Sequence, residues 1–514
     1  MTEPSDVPEA PEPAEPWRRL DGRMLLIHPL ETLVRFLPAL LAIFVARLGS
    51  QGDDRWELIA LPLILAFGVL RWATTRYRIG DGQIELRRGL LNKQTTTARL
   101  DKVRAVDLTA RLHHRVLGLT RVEISTAGST HDHLVLDSLR IDAARVLRAE
   151  LLHRAESVDP SVTGLPAPTG KPVPAGEVPQ DAVAASHPVE EELVRLDPAW
   201  VRYAPLTVTG LAGAAAVVAF VSQVLSRYSE ERTVFRDGAS WVAGLAWWVD
   251  VLFVLAVVSF LAVAGYVLTF WGFRLTRNRL GTLHSRRGLL TSRETSIDAS
   301  RIRGIRLDEP LGLRLAGARR LKVVTTGLAH EQGGGGGGSD WLCPPAPASV
   351  VTPLATRIRP DEAAVSGRLT PHGPAARRRR LSRAAVPAVA LSVALVVART
   401  VWDWHPAVLT LVPLLIVAAV ALGLDRYRAL GHAVTPEHLV TRHGSLDRQR
   451  VVLDRPGIIG WTVQQSPFQR RAGVATLVAT TAAGAQQYDI VDVPVERAYA
   501  VLAEVSPELA REFR

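Results

Sequence analysis

Residues 251–271 read VLFVLAVVSFLAVAGYVLTFW, a run of 21 residues without a charged side chain. A helix of that length can cross the ~30 Å hydrocarbon core of a bilayer. Residues 204–225 form a second uncharged apolar run a short distance upstream. The sequence therefore predicts a pair of membrane helices within residues 200–272.

Two further pairs of apolar runs flank this one. Residues 36–46 and 58–70 form the first pair, and residues 384–398 and 406–424 form the third. The first pair is the least convincing, because its runs are the shortest and lie between charged residues; a hairpin lying in the membrane interface is the alternative to one that spans. The pattern predicts six membrane helices arranged as three hairpins.

The charge pattern predicts the orientation of these hairpins. The net charge is +11 and is carried mainly by arginine. The connectors at 50–56 and 401–404 hold few basic residues, whereas arginines cluster at the opposite ends of the hairpins. Because basic flanks stay on the cytoplasmic side, both termini and all large soluble segments are expected in the cytoplasm. The chain is thus predicted to be a multi-pass protein of the cell (plasma) membrane.

The soluble segments that follow the hairpins resemble one another. Residues 84–91 read IELRRGLL and residues 285–290 read SRRGLL, while the third copy has the diverged RHGS at 442–445. Alternation of apolar and polar residues, as in RVEIS at 121–125, is typical of half-buried antiparallel strands. The glycine that recurs in each copy predicts a tight hairpin turn. Each copy ends in a helical pattern, at 141–152, 350–358 and 495–505.

These boundaries divide the chain into nine segments. In order, they are a disordered tail at 1–22, a hairpin at 23–76, a domain at 77–155, a Pro/Ala-rich linker at 156–192, a hairpin at 200–272, a domain at 273–360, a basic linker at 361–382, a hairpin at 383–427 and a domain at 428–514.

A two-helix hairpin followed by such a domain, repeated in phase, resembles the bacterial pleckstrin-homology-like (PH-like) membrane proteins of the YdbS/YdbT group. Three tandem copies are similar to the longer, YdbT-like members. The resemblance implies α-helical membrane hairpins plus three PH-like β-barrels of the α+β or all-β class, each with a C-terminal helix. It also implies no enzymatic activity, and a role in cell-envelope maintenance or stress resistance.

Two groups of arginines are candidate contacts for lipid headgroups or another ligand. The first group lies on the predicted first hairpin of a domain, and the second abuts a membrane helix; they comprise Arg87, Arg88, Arg286 and Arg287, and Arg377, Arg378, Arg379 and Arg380. Arginines next to a membrane attract anionic headgroups with about 1 kcal/mol each. The alternatives are a solvated basic turn for the first group and a topology signal alone for the second.

Sequence motifs for catalysis are missing. No Gly-x-Ser-x-Gly elbow, P-loop or His-Glu-x-x-His occurs, so no catalytic residue, cofactor or metal site is predicted. His131 and His133 have the spacing of a ligand pair on a strand, but Gly128 and Ser129 indicate a solvated loop, and the other copies lack the pair.

The sequence favours a non-catalytic scaffold that binds protein, peptide or lipid headgroups. The predicted partners are the lipid bilayer, anionic lipid headgroups and a protein such as a single-repeat paralogue; nucleic acid is not expected, because stacking platforms and a recognition helix are missing. The alternative is a transporter or envelope enzyme component that uses the membrane hairpins, which would need ionisable residues at mid-membrane depth.

Overall fold

The computed structural model describes residues 18–19, 76–80, 83–88, 94–99, 103–126, 133–148, 191–207, 240–279, 281–326, 340–402 and 404–511. Nearly all of the predicted tail, the first hairpin, residues 208–225 and the linker therefore lie outside the described residues, as does the His131 position. The chain divides into two compact units: residues 1–190 with 290–298, and residues 191–289 with 299–514.

The first unit contains two antiparallel sheets. One has the order β1-β2-β3-β4 and the other contains β7-β6-β5-β11. The strands are β1 (Arg18–Arg19), β2 (Arg76–Gly80), β3 (Gln83–Arg88), β4 (Gln94–Arg99), β5 (Val103–Ala110), β6 (Leu119–Thr126), β7 (His133–Arg140) and β11 (Ser292–Ile297), and a short helix α1 (Leu112–Val116) follows β5.

The core of this unit lies between the two sheets and a terminal helix. Ile84 and Leu86 of β3 belong to the same buried cluster as Val122 and Ile124 of β6. Leu147, from the helical residues 141–148, joins that cluster. The period-two pattern that predicted a strand at 121–125 is confirmed, since Val122 and Ile124 are fully buried while Arg121 and Glu123 are only partly buried.

The second unit contains twelve strands among its described residues. They are β8 (Glu191–Arg195), β9 (Arg274–Arg277), β10 (Leu283–Arg287), β12 (Ile302–Pro310), β13 (Ala318–Thr325), β14 (Trp341–Pro347), β15 (Gly431–Val434), β16 (His438–His443), β17 (Asp447–Asp454), β18 (Ile458–Gln464), β19 (Val474–Thr481) and β20 (Gln487–Pro494).

The helices of the second unit are α2 (Ser240–Phe270), α3 (Leu311–Leu315), α4 (Ala348–Ile358), α5 (Glu362–Ser366), α6 (Gly373–Val401), α7 (Leu411–Arg428), α8 (Pro467–Ala472), α9 (Val495–Val505) and α10 (Pro507–Ala510). A 3₁₀ helix at Pro198–Leu206 includes Ala204, where the sequence predicted a membrane helix to begin. The 3₁₀ helix starts here because the Asp197 carboxylate caps it, accepting a hydrogen bond from the backbone N–H of Ala199.

The sheets of the second unit are shared between repeats. Strands β12 to β14 form one sheet with β17, β16 and β15 of the next repeat, in the order β14-β13-β12-β17-β16-β15. Strands β18, β19 and β20 form a separate sheet. The sequence predicted one closed barrel for each of residues 273–360 and 428–514. The observed pairing differs, because the backbone groups on the outer edge of β12 are satisfied by the following repeat.

The third repeat is nevertheless a sandwich closed by a helix. Leu439 and Leu453 from the shared sheet belong to the same buried cluster as Leu477 and Ile490 from β19 and β20. Val501 of α9 completes it. The predicted terminal helix at 495–505 is thus confirmed with the same bounds.

Two of the described helices are long and apolar enough to cross a membrane, Gly373–Val401 and Pro406–Arg428. Only 17% and 6% of their most apolar segments are buried within the protein, whereas the core helix of a soluble protein would be mostly buried. The helices pack closely, since a Cβ on Gly423 would lie 3.0 Å from the Leu381 side chain. They coincide with the predicted third hairpin. Helix α2 begins at Ser240, earlier than predicted.

Candidate functional site

The arginine run at the start of α6 meets a buried carboxylate of repeat 3. The Arg379 guanidinium forms an ion pair with Asp492 of β20, and Arg380 Nη2 lies 2.7 Å from the second oxygen of that carboxylate. Asp492 is 0% exposed. A buried charge is tolerated only when it is paired, so these two arginines hold α6 against the β-sandwich.

Local structure presents Asp492 to the helix. Its φ of 57° lies in the left-handed region, which Asp adopts more readily than most residues. Gln469 Nε2 donates to Asp492 Oδ1 at 3.0 Å and to Thr476 Oγ1 at 2.9 Å. Gln469 is fixed in turn by a capping box with Ser466 at the start of α8.

A cleft of about 1050 Å³ opens beside this buried pair, between α6 and α8. The Arg378, Arg383 and Arg471 side chains line it and are exposed. Further along α6 the wall becomes apolar at Val386 and Pro387. The cleft therefore extends along α6 from the arginines near its N-terminus to its apolar segment. Arg378 and Pro387 are roughly 14 Å apart along the helix axis, at 1.5 Å per residue.

One wall of the cleft carries an exposed aromatic ring. Phe468 of α8 lines the cleft and is 79% exposed. Val386 and Pro387, which line the same cleft, are also exposed, and a patch of exposed apolar residues rimmed by polar ones is typical of a surface that contacts a membrane or a ligand. Basic side chains beside apolar ones match a molecule with an anionic head and an apolar tail.

The β16–β17 turn lies against the ends of both apolar helices. A second cleft of about 350 Å³ is lined by Arg383 of α6, Arg426 of α7 and the turn residues His443 and Gly444. Arg442 caps the last turn of α7 by donating from Nε to the Ala429 carbonyl and from Nη2 to the Arg428 carbonyl, at 3.1 and 3.0 Å.

Repeat 2 uses its corresponding turn in a similar way. The Gly288 and Leu289 N–H groups donate to the carbonyls of Trp271 and Leu268 at the end of α2, both at 3.0 Å. Arg287 is only 5% exposed and lies over the rings of Phe270 and Trp341 at 5.5 and 5.9 Å.

The eight predicted contact residues therefore occupy different environments. Arg287, Arg379 and Arg380 make contacts inside the protein. Arg87, Arg286, Arg377 and Arg378 are exposed, and only Arg378 of these lines the large cleft. Arg88 ends strand β3, and its side chain lies outside the described residues.

Two histidines, His372 and His432, form a hydrogen-bonded pair on the other side of the start of α6. His372 Nδ1 donates to the Val491 carbonyl at 2.8 Å, and its Nε2 accepts from His432 Nδ1 at 3.0 Å. His432 Nε2 in turn accepts from Arg497 Nε at 3.3 Å. Both rings are neutral in this arrangement. Burial, the neighbouring His372 and Arg497 lower the pKa of His432 to about 4, and burial also lowers the pKa of His372.

The described residues offer no metal centre. No group of three or more His, Cys, Asp or Glu side chains in that part of the chain could hold a metal ion. Cys343 is buried, and burial raises the pKa of its thiol.

The comparison with known families decides what these repeats are. A sequence model for the family described as Bacterial PH domain matches residues 32–155, 208–352 and 383–509, well over half of the chain. The chain belongs to the bacterial PH domain family. The third match begins in α6 at Arg383 and ends within α10, so this bacterial PH domain unit includes most of its apolar hairpin. No curated protein and no solved structure matches the chain.

Sequence reasoning found part of the cleft in the third bacterial PH domain repeat. The arginine run identified Arg378, but not Phe468 or Arg471, which lie 90 and 93 residues further along. Their only local signal is the helix start SPFQRR at 466–471, where a capping box precedes two arginines. Nothing in that pattern shows that α8 packs beside α6.

Proposed function

We propose that this bacterial PH domain protein is a non-catalytic, multi-pass scaffold of the cell membrane whose repeats bind anionic lipid headgroups on the cytoplasmic side. The observation that carries the proposal is the large cleft at the base of α6, where three exposed arginines adjoin Val386, Pro387 and the exposed Phe468. An anionic headgroup would pair with the arginines, and the acyl chains would follow the apolar wall.

The number and spacing of the repeats support a narrower assignment. Three hairpin-plus-domain units are similar to the YdbT-like group, so a role in cell-envelope maintenance or stress resistance is part of the proposal. The cytoplasmic orientation belongs to it as well. Reporter fusions near residues 160 and 340 test that orientation, and reporters on opposite faces of the membrane would overturn it.

A lipid site is tested by removing the cleft arginines from the full chain. The variant carries Arg378→Gln, Arg383→Gln and Arg471→Gln. Each arginine near the surface contributes about 1 kcal/mol to binding of anionic lipid, roughly a fivefold change in affinity. Native mass spectrometry of the protein with phosphatidylglycerol should therefore show binding reduced by about two orders of magnitude.

A matched control removes the same charge elsewhere. Arg368→Gln, Arg377→Gln and Arg470→Gln alter three exposed arginines that do not line the cleft. This control should change phosphatidylglycerol binding by less than about threefold, since it leaves the cleft intact. Equal losses in both triple variants would show that only total charge matters, and the proposed site would be wrong.

The competing function is a transporter or envelope enzyme component. Transport of a charged solute through the hairpins requires ionisable side chains at mid-membrane depth. Residues 384–398 and 406–424 contain none. The third hairpin therefore favours an anchoring role over a transport path.

A further inference from the structure

Each repeat has a fourth strand, which is β5, β12 or β18. Among the described residues, β5 and β12 pair with a strand on each side, whereas β18 pairs on one side only. The fourth strand of repeat 1, β5, pairs with β6 and with β11 of the next repeat. The fourth strand of repeat 2, β12, pairs with β13 and with β17 of the next repeat. Strand β18 is the terminal strand of its sheet and pairs only with β19.

A shared irregularity aligns the three strands residue by residue. The pairing register shifts between Val103 and Ala105, between Ile302 and Gly304, and between Ile458 and Gly460. Each shift lies at the same place, near the start of the strand. Ala105, Gly304 and Gly460 are therefore equivalent.

The space outside Gly460 is open where the space outside Gly304 is filled. A Cβ added at Gly304 would lie 2.2 Å from the Val452 carbonyl oxygen of β17, its partner strand. A Cβ added at Gly460 would meet no atom of the described residues within 4 Å. Exposed strand edges of this kind pair readily with another chain.

The complementary edge lies at the other end of the chain. Strand β4 is the third strand of repeat 1, the counterpart of β11 and β17, which occupy the outer edges of β5 and β12. It is the terminal strand of its own sheet, and Thr95, Thr96 and Thr97 are exposed.

We propose that β18 of one chain pairs antiparallel with β4 of a second copy, which repeats between molecules the junction that joins successive repeats within one molecule. We assign the partner of β18 to a second copy because the chain itself has a third strand, β4, whose outer edge pairs with no strand among the described residues. The inference does not depend on the lipid cleft.

The internal junctions set the register of this pairing. Ala98 pairs with the buried Ile84 in the first hairpin as Leu453 pairs with Leu439 in the third. Leu453 lies opposite Gly304, so Ala98 should lie opposite Gly460 and Thr96 opposite Thr462. The equivalent pair in repeat 1 is Asp107 with Thr295, whose hydroxyl donates to the Asp107 carboxylate.

The geometry of such a contact is head-to-tail. Different surfaces of the two copies meet, so every added chain leaves one β4 edge and one β18 edge unfilled unless the array closes into a ring. Because all copies share one membrane, the expected assembly is a row or ring in its plane.

Cysteine crosslinking of the full-length chain in membranes tests the pairing. All chains carry Cys343→Ala, which removes the single native cysteine. One tagged population carries Thr462→Cys and a second, differently tagged, carries Thr96→Cys. Directly opposed residues of antiparallel strands come close enough for a disulfide. Oxidation should therefore link the two tagged chains into a dimer. Repeating the experiment in chains that keep Cys343 should give the same product, because that thiol is buried.

Two controls define the register and the edge. Moving the second cysteine to Thr95 turns it to the opposite face of the strand, so the crosslink should fall about tenfold. Gly460→Val should reduce the crosslink, because a branched side chain at the junction would crowd the partner strand more than the methyl group of alanine does. It should not unfold repeat 3, because no described atom lies within 4 Å of a Cβ at Gly460. Gly460→Ala should retain it, because repeat 1 pairs through Ala105.

Three outcomes would overturn the proposal. The first is no dimer between the two tagged chains. The second comes from a chain that carries both cysteines. A disulfide that forms within this chain, and not between the two tagged chains, would mean that β18 and β4 pair within one molecule. The third is a Thr462→Cys crosslink to a protein of a different mass, which would assign the edge to another partner.

Discussion

Two sets of arginines on neighbouring faces of α6 have opposite roles. Arg379 and Arg380 point into repeat 3 and neutralise the fully buried Asp492. Arg378 of the same run, and Arg383 shortly after it, are exposed and line the cleft beside α8. All four arginines have similar neighbouring residues in the sequence. Only their position around the helix separates a structural arginine from one that can bind a ligand.

This comparison shows how a basic flank can serve three purposes. A topology signal needs only positive charge near the membrane. A rigid connection between the apolar helix α6 and the β-sandwich of repeat 3 needs a specific buried partner, which Asp492 supplies. A lipid site needs charge that is left accessible. Side chains on adjacent positions of one helix meet these needs separately because they point about 100° apart.

The largest effect is expected from removing the buried carboxylate. Asp492→Asn keeps a residue that tolerates the left-handed backbone but leaves Arg379 and Arg380 without a counter-charge. Breaking a buried ion pair from one side costs about 3–5 kcal/mol. Thermal unfolding of the full chain in detergent should show a loss of stability of that size. Glu508→Ala, at an exposed acid, should cost less than about 0.5 kcal/mol.

If Asp492→Asn left the unfolding temperature unchanged, the inward pair would not hold α6 to repeat 3. The distinction between the two sets of arginines would then fail.

A smaller effect is expected from acid, through the histidines on the buried side of the α6 base. The folded-state pKa of His432 is about 4, below the unfolded value of 6.5, so the unfolded chain binds more protons between these values. Stability should be unaffected above pH 6.5, fall as the pH drops from 6.5 to 4, and lose about 3 kcal/mol to His432 in total. Unfolding measured across this pH range checks the slope.

Two variants sharpen the acid test. His432→Asn removes the titrating ring and should flatten the slope between pH 6.5 and 4. His405→Asn alters an exposed histidine and should leave the slope unchanged. A pH profile that did not respond to His432→Asn would exclude the histidine pair as the cause.

The smallest effect on stability is expected on the cleft side. Arg378→Gln should change the free energy of unfolding by less than about 0.5 kcal/mol, because the side chain is exposed. It should lower phosphatidylglycerol affinity roughly fivefold. Arg377→Gln, one residue away and outside the cleft, should change neither quantity appreciably. A loss of stability with Arg378→Gln would show that this arginine, too, is structural.

Periodicity carried most of the prediction of local structure. The alternation around Val122 and the helical spacing at 495–505 were sufficient to locate a strand and a helix, since each pattern reports which side chains face the core. The third apolar pair corresponds to α6 and α7. The partition of the strands between sheets was not predictable, because the apolar residues Val451, Val452 and Leu453 of β17 indicate burial but not which strand lies at its edge.

The candidate site shows the same division. The run at 377–380 was visible because its charges are adjacent in sequence. Arg471, Phe468 and Asp492 were not, because each lies on an element that is distant from α6 in the sequence and adjacent to it only in the folded β-sandwich.

By itself the sequence determined the third apolar pair, the strand around Val122, the helix at 495–505 and the bacterial PH domain family of the repeats, all of which depend on residues close together along the chain. Only the tertiary structure decided that β17 continues the sheet of the preceding repeat, that Asp492 is buried, and that Arg379 pairs with Asp492 while Arg378 stays exposed in the cleft. Those outcomes depend on contacts between distant segments, whose free energy is set by burial and backbone pairing in three dimensions.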